Sequence, residues 1–172
     1  MFDWLQKLFH REQTSKKEKL ISGFIFFVYI FLLGFRGNMM QGNEWTFYES
    51  LLKPGFTPPG WVFPFVWTTI FVLIGLAAYH TWNFYKSDQL RKIFAGLYAI
   101  NGVLVYLWPY VFFTKQSISG ALYVIIGMII VIELMILTAF KNNHKAAYML
   151  LPYLLWVLFA TYLNTTFLIL NA

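Results

Sequence analysis

Of the 172 residues, 59% are hydrophobic, 22% aromatic and only 12% charged, which leaves too few polar side chains to cover a soluble globule; the composition is that of a membrane protein. Cysteine is absent, which excludes disulfides, thiolate nucleophiles, zinc-thiolate centres and c-type haem attachment. The formal net charge of +6 does not mark a nucleic-acid partner, because the basic residues lie between apolar runs rather than on one soluble face.

Residues 1–19, "MFDWLQKLFHREQTSKKEK", form a charged extension. Phe2, Leu5, Leu8 and Phe9 recur at helical spacing, which predicts an interfacial helix lying on anionic lipid. So short an apolar face is equally compatible with a solvated tail. An apolar h-region and a small-residue cleavage site are missing, so it is not read as a cleavable signal peptide.

From residue 20 onward the chain alternates apolar runs with short polar breaks. A spanning helix needs roughly 20 mostly apolar residues. Five segments meet that requirement, approximately 20–33 (extending toward residue 40), 61–82, 93–113, 119–140 and 146–169. The expected fold is therefore an all-α integral membrane protein, a five-transmembrane-helix bundle over residues 20–172. A structured, proline-rich loop joins its first and second helices. Helices are required because an isolated strand could not satisfy its backbone in lipid.

Lys and Arg counts set the orientation, since cytoplasmic loops carry the excess. Lys7, Arg11, Lys16, Lys17, Lys19, Lys86, Arg91, Lys92, Lys141 and Lys145 fall on one side; Arg36, Lys53 and Lys115 fall on the other. Ten against three predicts a cytoplasmic N-terminus, with the C-terminus and the proline-rich loop on the opposite face.

The stretch "LLKPGFTPPGWVFPFVWTTIF", residues 51–71, sets helix breakers directly against an apolar span. Pro54, Pro58 and Pro59 hold the connection extended, and Pro64 falls in the first helical turn, where a missing N–H matters little. A long connection stiffened in this way and studded with Trp45, Phe47, Tyr48, Phe56 and Trp61 is expected to be a lid over a pocket, with a structural plug as the alternative. Trp61 and Trp82 bracket the second span as interface anchors. Trp67, Trp108 and Trp156 lie inside spans, where each alone is an ordinary packing residue; three of them beneath a lid point to a flat, largely apolar ligand.

Intramembrane polar groups are few: Asn101, Glu133 and Asn164, with several hydroxyls. Such groups are functional suspects, although Asn101 and Asn164 serve equally well to tie helices together. There is no glycine-rich phosphate loop, metal-ligand spacing, carboxylate pair or serine with a basic partner. His10, His80 and His144 are too scattered to ligate haem iron, and no cofactor or metal is called for.

These stretches resemble the TspO/MBR family (tryptophan-rich sensory protein, translocator protein, peripheral-type benzodiazepine receptor) over residues 47–171. "FYESLLKPGFTPPGWVFPFVW" resembles the family's first loop and second helix, with Phe47 where tryptophan is usual. "LWPYVFF" is similar to its third helix around Trp108, and "LLPYLLWVLFATYLNTTFLILN" to its fifth through Pro152, Trp156, Ala160 and Asn164. The resemblance implies a five-helix, commonly dimeric bundle in the bacterial cytoplasmic membrane. It would bind tetrapyrroles such as protoporphyrin IX and haem, together with isoquinoline-type molecules, as a receptor, sensor or carrier. By the same match Tyr48 and Pro58 would belong to the lid, and Trp67, Asn101, Trp108, Trp156 and Ala160 would line the pocket. Trp67 and Trp156 would be catalytic if the protein instead degrades porphyrin in light; a structural membrane scaffold is the third reading. Val105 stands where the family often has asparagine, and no basic residue follows Tyr162, so the sterol motif of animal members is not met.

Overall fold

The computed structural model describes residues 12–38 and 43–172. The expected interfacial helix at residues 2–9 lies outside them. Six helices and a minimal two-stranded ladder follow in the order β1 (Glu12–Gln13), α1 (Lys16–Asn38), α2 (Asn43–Ser50), α3 (Val62–Asn83), β2 (Phe84–Tyr85), α4 (Asp88–Pro109), α5 (Ile118–Asn142) and α6 (His144–Leu170). A π-helical turn, Tyr110–Thr114, continues α4.

Helix starts are written in the local sequence. Ser15 and Glu18 form a reciprocal capping box, with Ser15 N donating to Glu18 Oε2 at 2.7 Å and Glu18 N to Ser15 Oγ at 3.2 Å. Ser87 caps α4 through Leu90 N, and Ser117 caps α5 through Gly120 N. The first helix consequently begins at Lys16, inside the charged extension, and not at residue 20. The long connection also contains a helix of its own, α2, so among its described residues the irregular ones are 51–61.

Four helical segments among the described residues are long and apolar enough to cross a membrane: Val62–Asn83, Asp88–Thr114, Ile118–Asn142 and His144–Leu170. They pack with α1 as a closed ring in which α1 neighbours α3 and α4, α3 neighbours α6, and α6 neighbours α5, which returns to α4. The tightest seam joins α5 and α6. Ala121, Ile125, Met128, Ile132, Met135 and Ala139 are buried at alternating four- and three-residue spacing, the seam of a left-handed helix pair. Ala146, Leu150, Tyr153 and Val157 answer them from α6. Outward positions are apolar as well, with Leu137, Val103 and Leu155 all exposed. Water would penalise such a surface and acyl chains accept it.

The charge-rich end of the bundle is tied by amides. Asn142 Oδ1 accepts from the backbone N–H of Lys86 and Ser87 at 2.7 and 3.1 Å, and Asn143 Nδ2 donates to the carbonyls of His80 and Phe84 at 3.1 and 3.0 Å. Asn83 joins Ser22 and Thr14 there. These asparagines are buried and supply the loop backbone with partners that neither lipid nor a helix offers.

Candidate functional site

The opposite end carries the proline-rich segment. Asn171 holds its start with a pair of bonds: Leu52 N donates to Asn171 Oδ1 at 2.9 Å, and Asn171 Nδ2 donates to Leu52 O at 3.0 Å. Pro54 O then accepts from both Thr57 N and Thr57 Oγ1, closing a turn. Phe56 stacks on Tyr162 of α6, with ring centroids 4.8 Å apart and planes 18° from parallel. Val62 N reaches back to Pro59 O as α3 begins. The prolines thus deliver the chain across the end of α6 and into α3.

Two aromatic groups lie beneath. In the first, Trp67 of α3 and Trp156 of α6 meet edge to face at 6.5 Å and 88°. Trp67 also contacts Tyr153 at 6.3 Å, and Phe63 and Phe159 flank Trp156. Tyr153 is fully buried and donates its hydroxyl to Asn101 Oδ1 at 2.9 Å, so an unbroken line of contacts runs from Trp156 through Trp67 and Tyr153 to Asn101 on α4. The indole N–H of Trp156 and the amide nitrogen of Asn101 are buried without a hydrogen-bond partner.

A recess of about 560 Å³ opens against this group between α3 and α6. Phe65, Val66, Thr69 and Ile70 wall it from one helix, and Pro152, Leu155, Trp156 and Phe159 from the other; Pro58 closes its loop end. The volume is that of a small-molecule site. Its surface is carbon: the Thr69 hydroxyl is engaged by Phe65 O of its own helix at 3.0 Å.

The second group gathers under α2. Trp108 stacks on Phe112 at 5.3 Å and 25° and lies 6.0 Å from Phe113. Tyr48 reaches Phe113 and Phe167, Phe47 reaches Phe112, and the Lys53 ammonium sits 4.6 Å over the Tyr48 ring. Burial pushes the Tyr48 phenol above its ordinary pKa. The π-helical turn after Pro109 creates this group: proline withholds an N–H, the ladder resumes with Lys115 N bonding Tyr110 O, and Phe112 and Phe113 are re-aimed toward α2 and α6.

The residues singled out from the sequence therefore divide. Pro58, Trp67 and Trp156 stand at or beside the recess, with Asn101 linked to them through Tyr153 and Ala160 one turn beyond Trp156, half-buried against the core. Tyr48 and Trp108 belong to the aromatic group under α2, so the three intramembrane indoles do not form one cluster. Asn164 Nδ2 donates to Ile118 O, tying α6 to the start of α5, and Glu133 is exposed on α5 away from both groups. Sequence reading passed over Tyr153, whose only signal was its place beside Pro152, and over Asn171 and the Phe112/Phe113 pair, which depend on pairings across the fold.

The comparisons with known proteins show the family. The TspO/MBR family model matches residues 24–170. The tryptophan-rich protein TspO of Archaeoglobus fulgidus is 34% identical over 146 residues, covering 83% of this chain and 92% of the relative. Its namesake in Chlorobaculum tepidum is 37% identical over 142 residues, covering 81% and 89%. The translocator protein of Bos taurus is 30% identical over 136 residues, covering 76% and 79%. A helical bundle with lipid-compatible faces, aromatic groups beneath a proline-rich segment and similarity along most of its length make this chain an integral membrane protein that belongs to the TspO/MBR family.

Proposed function

We propose that this protein is a membrane receptor or carrier for a planar, largely apolar ligand of the tetrapyrrole class, protoporphyrin IX or haem, with isoquinoline-type molecules as smaller guests. The observation that carries the reading is the perpendicular Trp67–Trp156 pair bordering a 560 Å³ recess under Pro58. Indole faces stack on flat conjugated guests, and a carbon-walled recess of this size suits one. Asn101, through Tyr153, and Ala160 stand behind the recess in the proposed ligand-binding set, while Tyr48 and Trp108 enter it only as the separate aromatic group under α2, with Tyr48 as part of the lid. Helix α1, 23 residues long, serves as the fifth span at about 1.5 Å per residue. The protein resides in the bacterial cytoplasmic membrane as a homodimer, N-terminus in the cytoplasm. Titrating protoporphyrin IX into the detergent-solubilised chain is expected to quench tryptophan emission saturably. Replacing both Trp67 and Trp156 by phenylalanine should weaken binding by about tenfold, about 1.4 kcal/mol; unchanged affinity would remove the basis of the reading.

The same pair favours a second reading, light-dependent porphyrin breakdown. Two indoles in edge contact share an electron vacancy more readily than one, so Trp156 can give an electron to a photo-excited porphyrin with Trp67 behind it. Illumination in air should then yield a new absorbing product faster than in a protein-free control, and equal rates would dispose of it.

A further inference from the structure

We infer that the outer face of α5 is a docking seam for a membrane-spanning helix of another protein, one that carries a lysine or arginine at the level of Glu133. Tyr123, Ile126, Ile130, Glu133, Leu137 and Phe140 are all exposed. They recur at alternating three- and four-residue spacing, the same rhythm as the buried seam between α5 and α6, and so form a second stripe suited to a left-handed crossing. Apolar side chains are ordinary on a lipid-facing surface, but the carboxylate in the middle of the stripe is a group that acyl chains do not accept. Glu133 lies nine residues inside the Asn142 end of the 25-residue helix, about 13 Å at 1.5 Å per residue. A helical side chain tilts toward the N-terminus of its own helix, which for α5 is the far end. The carboxylate is therefore aimed at the bilayer centre and away from the nearer boundary.

No described residue of the chain answers this charge. The ion pairs among the described residues join Asp88 to Arg91 and Lys92 at the charge-rich end. Lys141, the other charged residue of α5, is eight residues on, about 12 Å along the axis. Protonation would remove the charge and still leave a hydroxyl without a partner in hydrocarbon. A basic side chain from outside removes both costs, because opposite charges within a membrane pair with one another. A second copy does not supply it. At the level of Glu133 the exposed positions of the described helices include Ile25 on α1, Val72 and Leu76 on α3, Ile100 on α4 and Leu151 on α6, all aliphatic. A two-fold axis along α5 would instead set Glu133 against Glu133, like charges at one depth. The stripe also selects for reach. Ile130 and Leu137, one turn to either side of Glu133, are bulky, so the partner's backbone stays further away than across a small-residue seam, and a long basic side chain spans the gap.

The test places the full chain in liposomes with a donor fluorophore on Ala172→Cys, the chain being otherwise free of cysteine. The probes are two acceptor-labelled synthetic helices with tryptophan anchors, one of leucine throughout and one with a single lysine at its midpoint, within reach of Glu133 from either direction of insertion. Energy transfer to the lysine helix is expected to saturate at an about tenfold lower helix-to-lipid ratio than transfer to the all-leucine helix, and Glu133→Gln should abolish the difference. Ile130→Trp leaves the carboxylate in place but spoils the stripe, and should weaken lysine-helix binding severalfold, while Val103→Trp on the exposed face of α4 should leave it within about twofold. Equal transfer to the two helices, or an advantage of the lysine helix that survives Glu133→Gln, would overturn the inference. Donor- and acceptor-labelled copies of the chain report the competing occupant: transfer between them should be unchanged by Glu133→Gln, and its loss would assign the stripe to a second copy and overturn the foreign partner.

Discussion

At the scale of single residues, close approach is set where a side chain is missing. A Cβ built on Gly102 of α4 would lie 1.9 Å from Tyr29 Oη and 2.6 Å from its ring carbons. The ring cannot swing freely, because it packs on Tyr98 at 4.4 Å and its hydroxyl bonds Tyr98 O. Gly102→Ala is expected to destabilise the protein by about 1–3 kcal/mol, the range for overpacking, read as a lower denaturation midpoint in mixed micelles. Combining it with Tyr29→Leu should lose less than the sum of the two single changes, because one clash is being relieved; strict additivity would show that the contact does not limit packing.

At the scale of elements, the proline-rich segment owes its position to what it is fastened to. Proline narrows the paths available to residues 54–59, but the anchors are the Leu52 amide pair with Asn171 and the stacking of Phe56 on Tyr162. Asn171→Ala removes both amide bonds at an exposed site, where water replaces them, so global stability should change by less than about 1 kcal/mol. Local opening should change far more. Limited proteolysis and hydrogen exchange within residues 51–61 are expected to accelerate severalfold while the helices keep their protection. Acceleration spread evenly over the chain would show that the clamp serves the bundle and not the segment.

For the whole molecule, the ring of helices with α1 between α3 and α4 implies an odd number of crossings once α1 spans. The termini then face opposite sides. The absence of cysteine makes the experiment clean: a lone cysteine at Lys17→Cys and another at Ala172→Cys, both exposed positions, should react with an impermeant maleimide from opposite faces of sealed vesicles. Labelling from the same face would reduce the crossings to four and move α1 to the membrane surface.

Composition and apolar run length were enough to determine a helical membrane protein, because runs of this length satisfy their backbone in lipid only as helices, and the resemblance of the stretches around Trp67, Trp108 and Trp156 to known sequences pointed to the family. Helix starts at Ser15, Ser87 and Ser117 rest on local caps, but apolar run length placed the first two of these helices at residues 20 and 93, several residues late, because it leaves out their polar first turns. What only the tertiary structure decided was which indoles meet: Trp67 finds Trp156 because α3 and α6 are neighbours, while the π-helical turn after Pro109 sends Trp108 and its phenylalanines to α2. Helix neighbours and the rotation of each about its axis come from side-chain fit across the bundle. A periodic pattern that is apolar on every face, as membrane helices are, carries almost no information about that rotation.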